Sequence, residues 1–443
     1  MRLRSRVRRA HEPTCLLLGD AGLCLRRDDP LTTLGGNPPL PIDRTPHVGD
    51  PAVARSFAAA NNAFGFELWG ALHQSGNLAI APASVSIALG MTWLGARGDT
   101  AAQMARVLHL ADAGTAAAAM GEQLAQWNAP VDGAYELAVV ERLFGEQTAT
   151  FEPEFLAALQ ERFAAPLESV DFRRDFEGAR GRINGWVEQQ TKDRIVDLLP
   201  AGSIDGDTRL VLTNAVYFKG DWLRAFDPNA THEGAFYVGG RTPERRTMMR
   251  QVSQLAYAST DAAVQMVELP YRGEHLAMTL IIPRERDGLE TLERGLDADG
   301  FAAMVGALQP AMVELTLPRF ELEMPASLSL EPALVELGMP LAFGTGADFT
   351  GMSRTIRPLF IDDVFHRTFV AVDEEGTEAA AATAVVMATE SASVEPDGID
   401  VVADRPFLFV LRDTRSGGRR RTTSRPRTSV CSSSRRCTAP RRR

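Results

Sequence analysis

From residue 25 to residue 430 the chain contains no cysteine; its four, Cys15, Cys24, Cys431 and Cys437, all lie close to the ends. That excludes a disulfide framework through the body. With no Cys-x-x-Cys pair, it also excludes the common zinc and dithiol redox sites. Lysine is nearly missing as well, with only Lys192 and Lys219. No run of 18 apolar residues occurs, so no membrane-spanning helix is expected. The usual catalytic signatures are lacking: there is no Gly-x-Ser-x-Gly, no His-Glu-x-x-His, no P-loop and no dinucleotide glycine pattern. The histidines (His11, His47, His73, His109, His232, His275, His366) are scattered, none at ligand spacing from another. The expectation is therefore no enzyme, no catalytic residues, no metal and no cofactor.

What is present is a chain of 443 residues, 45% hydrophobic, ample for a large core. Its net charge of -10 is unevenly spread. The last 26 residues hold ten Arg and no acid, and the first 30 hold seven Arg against four acids, so the body between them is strongly acidic. Such a body is not expected to bind nucleic acid or a membrane surface.

Residues 1–50 read as a disordered leader, or as a mis-assigned start of the chain. Met1 to Ala10 is basic and Cys15 to Leu18 apolar, a faint signal-peptide pattern, but Asp20 interrupts an apolar stretch that is already short. Pro and Gly crowd the stretch from Gly35 to Asp50. Globular patterning begins near Pro51. Ala52 to Gln74 reads as a helix, with Phe57, Phe64, Leu68 and Leu72 at helical spacing. Ser84 can cap a second helix, Val85 to Leu94, and Asp99-Thr100 a third. Helical spacing continues over Phe151 to Phe163 and Gly181 to Leu199.

The character then changes. TRLVLTNAVYF, Thr208 to Phe218, is apolar on both faces, as in a strand within a covered sheet. His275 to Pro283 is similar. Val313, Leu315 and Leu317, then Phe320, Leu322 and Met324, alternate around Pro318. Phe369 to Val372 and Phe407 to Leu411 complete the strands. Helices first and strands later give an α+β class.

One stretch resists that description. DEEGTEAAAATAVVMATESAS, Asp373 to Ser393, runs from an acidic pair into small residues and then Val385-Val386-Met387. It reads as an alanine-rich helix, as a flexible linker, or as a segment that occupies two places, the second admitting only small side chains.

NLAIAPASVSIALGMTWLGARGDTAAQM (Asn77 to Met104), TRLVLTNAVYFKGDW (Thr208 to Trp222), VELTLPRFELE with ADFTGMS, FHRTFVAVDEEGTEAAAAT and ADRPFLFVLRD resemble, in order, signature regions of the serpin family, and more narrowly a bacterial-type member. The likeness runs from about Pro51 to Gly417, which sets a domain over 51–417. It implies an α+β serpin fold with three β-sheets, eight or nine helices and an exposed reactive-centre loop. It also implies a function: inhibition of a serine-type endopeptidase as a suicide substrate, through loop cleavage, a covalent acyl complex and insertion of the loop into the main sheet.

Carried over residue by residue, the resemblance implies a hinge at Glu374, Gly376, Thr377, Ala379, Ala380, Ala381, Ala382 and Thr383. Thr377, Ala379, Ala381 and Thr383 would face inward, and Glu378 with Ala380 and Ala382 outward. Gly376 would permit the backbone turn that starts insertion. The reactive bond falls between Glu390 and Ser391, with a register open by a residue or two, so that Thr389 or Ser391 are the other choices of primary residue. Glu390 implies a glutamate-preferring protease; Met387 would suit a subtilisin- or elastase-like one. Ser84, Asn214 and His366 would form a hydrogen-bonded network where the sheet opens, with Trp222 where the loop first enters. A helix cap for Ser84 and an ordinary histidine at His366 stay open as the plainer readings. The implied state is a monomer, extracellular or periplasmic, with cytoplasm also open.

The sequence departs from the family at Ala81, where serine is usual, and after the TRSGG turn. There the basic, low-complexity residues 418–443 replace the expected last strand. A non-inhibitory binding protein on the same fold, or a chain inactive for want of that strand, are the alternative readings.

Overall fold

The computed structural model describes residues 51–72, 76–129, 135–238, 242–260, 263–324, 326–377 and 398–415. All of them fall in one unit, Ile42–Arg443. Along the chain run α1 (Pro51–Ala71), α2 (Pro82–Trp93), α3 (Gly98–Val107), α4 (Ala113–Asn128), β1 (Tyr135–Glu146), α5 (Pro153–Phe163), β2 (Glu168–Val170) and α6 (Phe172–Gln190). Then come β3 (Leu210–Asp221), β4 (His232–Val238), β5 (Thr242–Ser259), β6 (Val264–Pro270), β7 (Leu276–Pro283), α7 (Leu289–Gly295), α8 (Ala298–Ala307), β8 (Gln309–Pro318), β9 (Phe320–Glu323) and β10 (Leu328–Ser329). α9 (Glu331–Glu336), β11 (Phe365–Val372), β12 (Gly376–Thr377), β13 (Ile399–Val402) and β14 (Leu408–Asp413) complete the described chain. This is the α+β arrangement expected, with nine α-helices among the described residues.

Helix starts follow local chemistry, and here some expectations need correction. α2 begins at Pro82, whose fixed φ suits the first helical position and whose missing N–H is no loss there. Ser84 therefore lies inside the first turn and caps nothing; its hydroxyl turns to the sheet. α3 starts at Gly98, so Asp99 and Thr100 sit within its first turn, and the Thr100 hydroxyl accepts from the Asp348 amide. α6 starts well before Gly181 because Asp171 accepts from the Arg174 amide as an N-cap.

The main sheet has the order β10-β11-β12-β3-β1-β2, with β9 also paired to β11. Both its faces are covered. Val139, Leu143, Leu210 and Leu212 pack into a core shared with α1, α2, α4 and α5. The alternate residues Val140, Phe144, Val211 and Ala215 pack against α6 and the segment after it, through Ile183, Val187, Ile195 and Leu199. This period-two division is what TRLVLTNAVYF encodes. α2 is buried from Ser84 to Trp93, which its lack of any charged residue allows.

The second sheet has the order β13-β8-β5-β6-β7-β14, with β4 added to β5. Its 18-residue β5 serves two leaves. Thr242 to Met248 pairs with β4, Met248 to Tyr257 with β8, and Ala256 to Ser259 with β6. Two of the three anticipated sheets are thus joined through a shared strand. Residues 418–443, and with them the expectation of a replaced last strand, lie outside the described residues.

Candidate functional site

The feature that positions everything else is a seam between β3 and β11. These strands pair directly, in parallel, only from Thr213↔Phe365 to Tyr217↔Phe369. Beyond that they part, and β12 fills the gap. Gly376 pairs with Asp221, and Thr377 pairs with Gly220 on one side and Val372 on the other, antiparallel to both neighbours. A tight turn brings β12 there: Asp373 Oδ1 accepts from the amides of Glu375 (2.9 Å) and Gly376 (3.0 Å), and the Asp373 amide donates to the Gly376 carbonyl (2.9 Å).

Gly376 is required by close approach rather than by a turn. A Cβ there would overlap the Gly220 carbonyl oxygen, and its φ is not among the positive ones. That corrects the physical reason offered from sequence. Thr377 is fully buried, its hydroxyl 2.7 Å from the Tyr271 hydroxyl. Ala379, Ala380, Ala381, Ala382, Thr383, Glu390 and Ser391 lie outside the described residues.

The mouth of the seam is aromatic. Trp222, 1% exposed, stacks on Tyr271 at 4.5 Å between ring centres, and Phe218 meets Tyr271 edge-on at 4.8 Å. Trp222 also holds the turn: its indole N–H donates to the Asp373 carbonyl (3.0 Å) and its amide to the Glu375 carbonyl (2.8 Å). The Phe226 amide donates to the Glu374 carbonyl (2.8 Å). Glu374 itself is buried and pairs with Arg319, with a second hydrogen bond from the Thr231 hydroxyl (2.8 Å). Burial alone would raise its pKa; the bonds from Arg319 and Thr231 outweigh that and hold the carboxyl below its ordinary value.

Lower in the seam, on the α2 face, lies a polar row with one residue per strand. Glu141 of β1 stands opposite Asn214 of β3, which stands opposite His366 of β11. His366 Nδ1 donates to Asn214 Oδ1 (2.5 Å), and His366 Nε2 accepts from the Ala81 amide (3.0 Å). The ring is therefore neutral, and burial lowers its pKa to about 4. Asn214 Nδ2 donates to Glu141 Oε1 (3.2 Å), the same oxygen that accepts from the Ser84 hydroxyl. Ser84, Asn214 and His366 are thus brought together, and all are buried. Trp222 is not part of this row; it belongs to the mouth.

Glu141 was not anticipated. Its phase gives it away: along YELAVVERL it shares the apolar face with Leu137, Val139 and Leu143. Burial raises its pKa well above the ordinary carboxyl value, against a smaller lowering by the Ser84 hydrogen bond. Its Oε2 is buried without a partner among the described residues.

Among the described residues no group of three or more His, Cys, Asp or Glu could hold a metal ion, and no helix is long and apolar enough to cross a membrane.

The fold and the seam define a class first: an α+β protein whose main sheet holds a short strand wedged between two that part to admit it. The chain belongs to the serpin family, described as serine protease inhibitors, whose family model matches residues 59–418. It is 39% identical over 368 residues to the leukocyte elastase inhibitor of Sus scrofa, covering 80% of this chain and 95% of that protein. It is 37% identical over 382 residues to Serpin B3 of Homo sapiens, covering 82% and 96%. Among solved structures, uncleaved ovalbumin matches with a TM-score of 0.74 and 28% identity, over 82% of this chain and 97% of that one. These relatives include mammalian proteins and give the narrower bacterial-type reading no support; nor do they support an extracellular setting.

Proposed function

We propose that the chain inhibits a serine-type endopeptidase as a suicide substrate, its own loop becoming a strand of the main sheet. The observation that carries this is β12. Both of its residues already pair with β3, and Thr377 pairs with β11 as well. Each residue added in the same direction would separate the five directly paired positions of the seam and pair with both strands instead. One ladder is exchanged for two. Each added bond contributes about 1 kcal/mol net, so a dozen give on the order of 10 kcal/mol, comparable to a whole domain's stability.

In the proposed reaction the protease's serine attacks the carbonyl of Glu390. The bond to Ser391 breaks, Ser391 leaves as a new amino terminus, and the Glu390 acyl group stays on the enzyme. Uptake of the residues that follow Thr377, through Thr383 and beyond, then carries the acylated enzyme along the sheet. Thr377, Ala379, Ala381 and Thr383 face the core, and the small side chains fit above α2. The hinge glutamate, Glu374, stays anchored at Arg319. The domain is residues 51–417, acting as a monomer without cofactor.

Incubation with a glutamyl endopeptidase, a subtilisin-like protease and an elastase tests this; the Sus scrofa relative is named for leukocyte elastase. The expected result is an adduct resistant to SDS with at least one of them, and a released fragment beginning at Ser391 by mass. Steady cleavage with turnover by all three, and no adduct, would overturn it and favour a binding protein or an inactive chain.

A further inference from the structure

A carboxyl group on the strand beside the seam is not needed for hydrogen bonding alone; an amide would serve. We propose that Glu141 is a proton-dependent positioning residue for loop uptake, holding the seam shut as a neutral acid and loosening it when it ionises. The proposal rests on the insertion reading above.

Burial without a counter-charge favours the neutral form. Oε1 has two donors, Ser84 and Asn214, while Oε2 has none and no water-exposed surface. No cation faces it. α2 carries no charged side chain, and α4's buried residues include none. β3 offers Asn214, and β11 offers His366 as the titratable group on this face, neutral by its own hydrogen bonds. Arg142, next in β1, points to the opposite face, against Trp186 at 4.4 Å and Glu168. Arg367, next to His366, donates to the Val196 carbonyl on that same far side. A buried carboxylate with no counter-charge is costly, so the proton stays.

Holding Asn214 by its Nδ2 turns its Oδ1 to His366, and that side-chain bond crosses the seam beside the backbone pairing of the two strands. An inserting strand must break it. Once the strands part and water enters, Glu141 is free to ionise, so opening releases a proton. The signs follow. The raised pKa of Glu141 favours the closed seam at low pH, and that preference is lost as pH rises above the ordinary carboxyl value of 4.5. His366, lowered from 6.5 to about 4, acts oppositely: its contribution is lost as pH falls through that window. Raising the pH above 4.5 therefore loosens the seam through Glu141, and above 6.5 His366 no longer opposes it.

The test is the rate at which the intact protein takes up a synthetic peptide of residues 376–389, followed by native gel between about pH 6 and 8. Uptake is expected to quicken with pH, by up to about tenfold per unit, the limit for one proton. In Glu141→Gln, which keeps the shape and the Oε1 acceptor, the rise should vanish. A flat wild-type profile, or an equal rise in both proteins, would overturn the proposal. A chain that takes up no peptide at any pH contradicts insertion itself. The melting temperature against pH then decides on Glu141 alone: the wild type should lose more stability than Glu141→Gln as pH rises, and parallel curves would overturn it. Should Glu141→Gln fail to fold, an acid-form carboxyl stretch in the infrared spectrum of glutamate-labelled wild type at neutral pH supports the proposal, and its absence overturns it.

Discussion

Replacing Thr377 with arginine is expected to abolish inhibition while leaving the chain folded, so that the protease cuts the loop and departs. Thr377 is fully buried, paired through its backbone on both sides and bonded through its hydroxyl to Tyr271. A guanidinium there would be buried without a partner, which costs several kcal/mol. At about 1.4 kcal/mol per tenfold, a 4 kcal/mol penalty slows uptake roughly a thousandfold. Deacylation is untouched by the change and would win. The number of inhibitor molecules consumed per protease inactivated is the quantity to measure. It should rise beyond about a hundredfold, together with a lower melting temperature, because Thr377 is already buried at rest and the arginine would have to displace β12 from its place between β3 and β11. A variant as efficient as the wild type would show that the buried place of Thr377 is not needed for uptake. Thr377→Val is the milder control: it keeps the shape but leaves the Tyr271 hydroxyl unpartnered, a loss of about 1–3 kcal/mol.

Trp222→Ala should produce the second large effect, this time on stability. The ring is 1% exposed, stacked on Tyr271 and edge-on to Phe226, and its N–H holds the turn before β12. Truncating a buried aromatic costs about 3–5 kcal/mol, read as a lower denaturant midpoint. Trp222→Phe keeps most of the packing and loses the hydrogen bond, so its cost should be near 1 kcal/mol. If the alanine variant is as stable as the wild type, the mouth is not the anchoring point described.

These effects centre on residues of differing legibility. Ser84, Asn214 and His366 are legible only through the resemblance; the plainer reading of Ser84 as a cap fails because Pro82 starts the helix earlier and frees the hydroxyl for Glu141. β3 was readable because a strand covered on both sides must be apolar on both. β1 was not, because its charges have distant partners: Glu146 accepts from the amides of Phe172 and Arg173 at the start of α6, and Arg142 pairs with Glu168. Glu141 hid in the same strand, readable only as a charge in an apolar phase. β12 could not be read at all. Two residues carry no periodicity, and their pairing depends on where β3 and β11 diverge.

The claim on which the rest depends is that the loop's resting place is not its most stable one. Nicking the loop between residues 388 and 392, then comparing the melting temperature of the nicked and intact proteins, measures this directly. The nicked form should melt substantially higher, because about a dozen new ladder bonds at about 1 kcal/mol each are made once the loop is free to enter. A nicked form that melts at or below the intact protein's temperature would contradict the account.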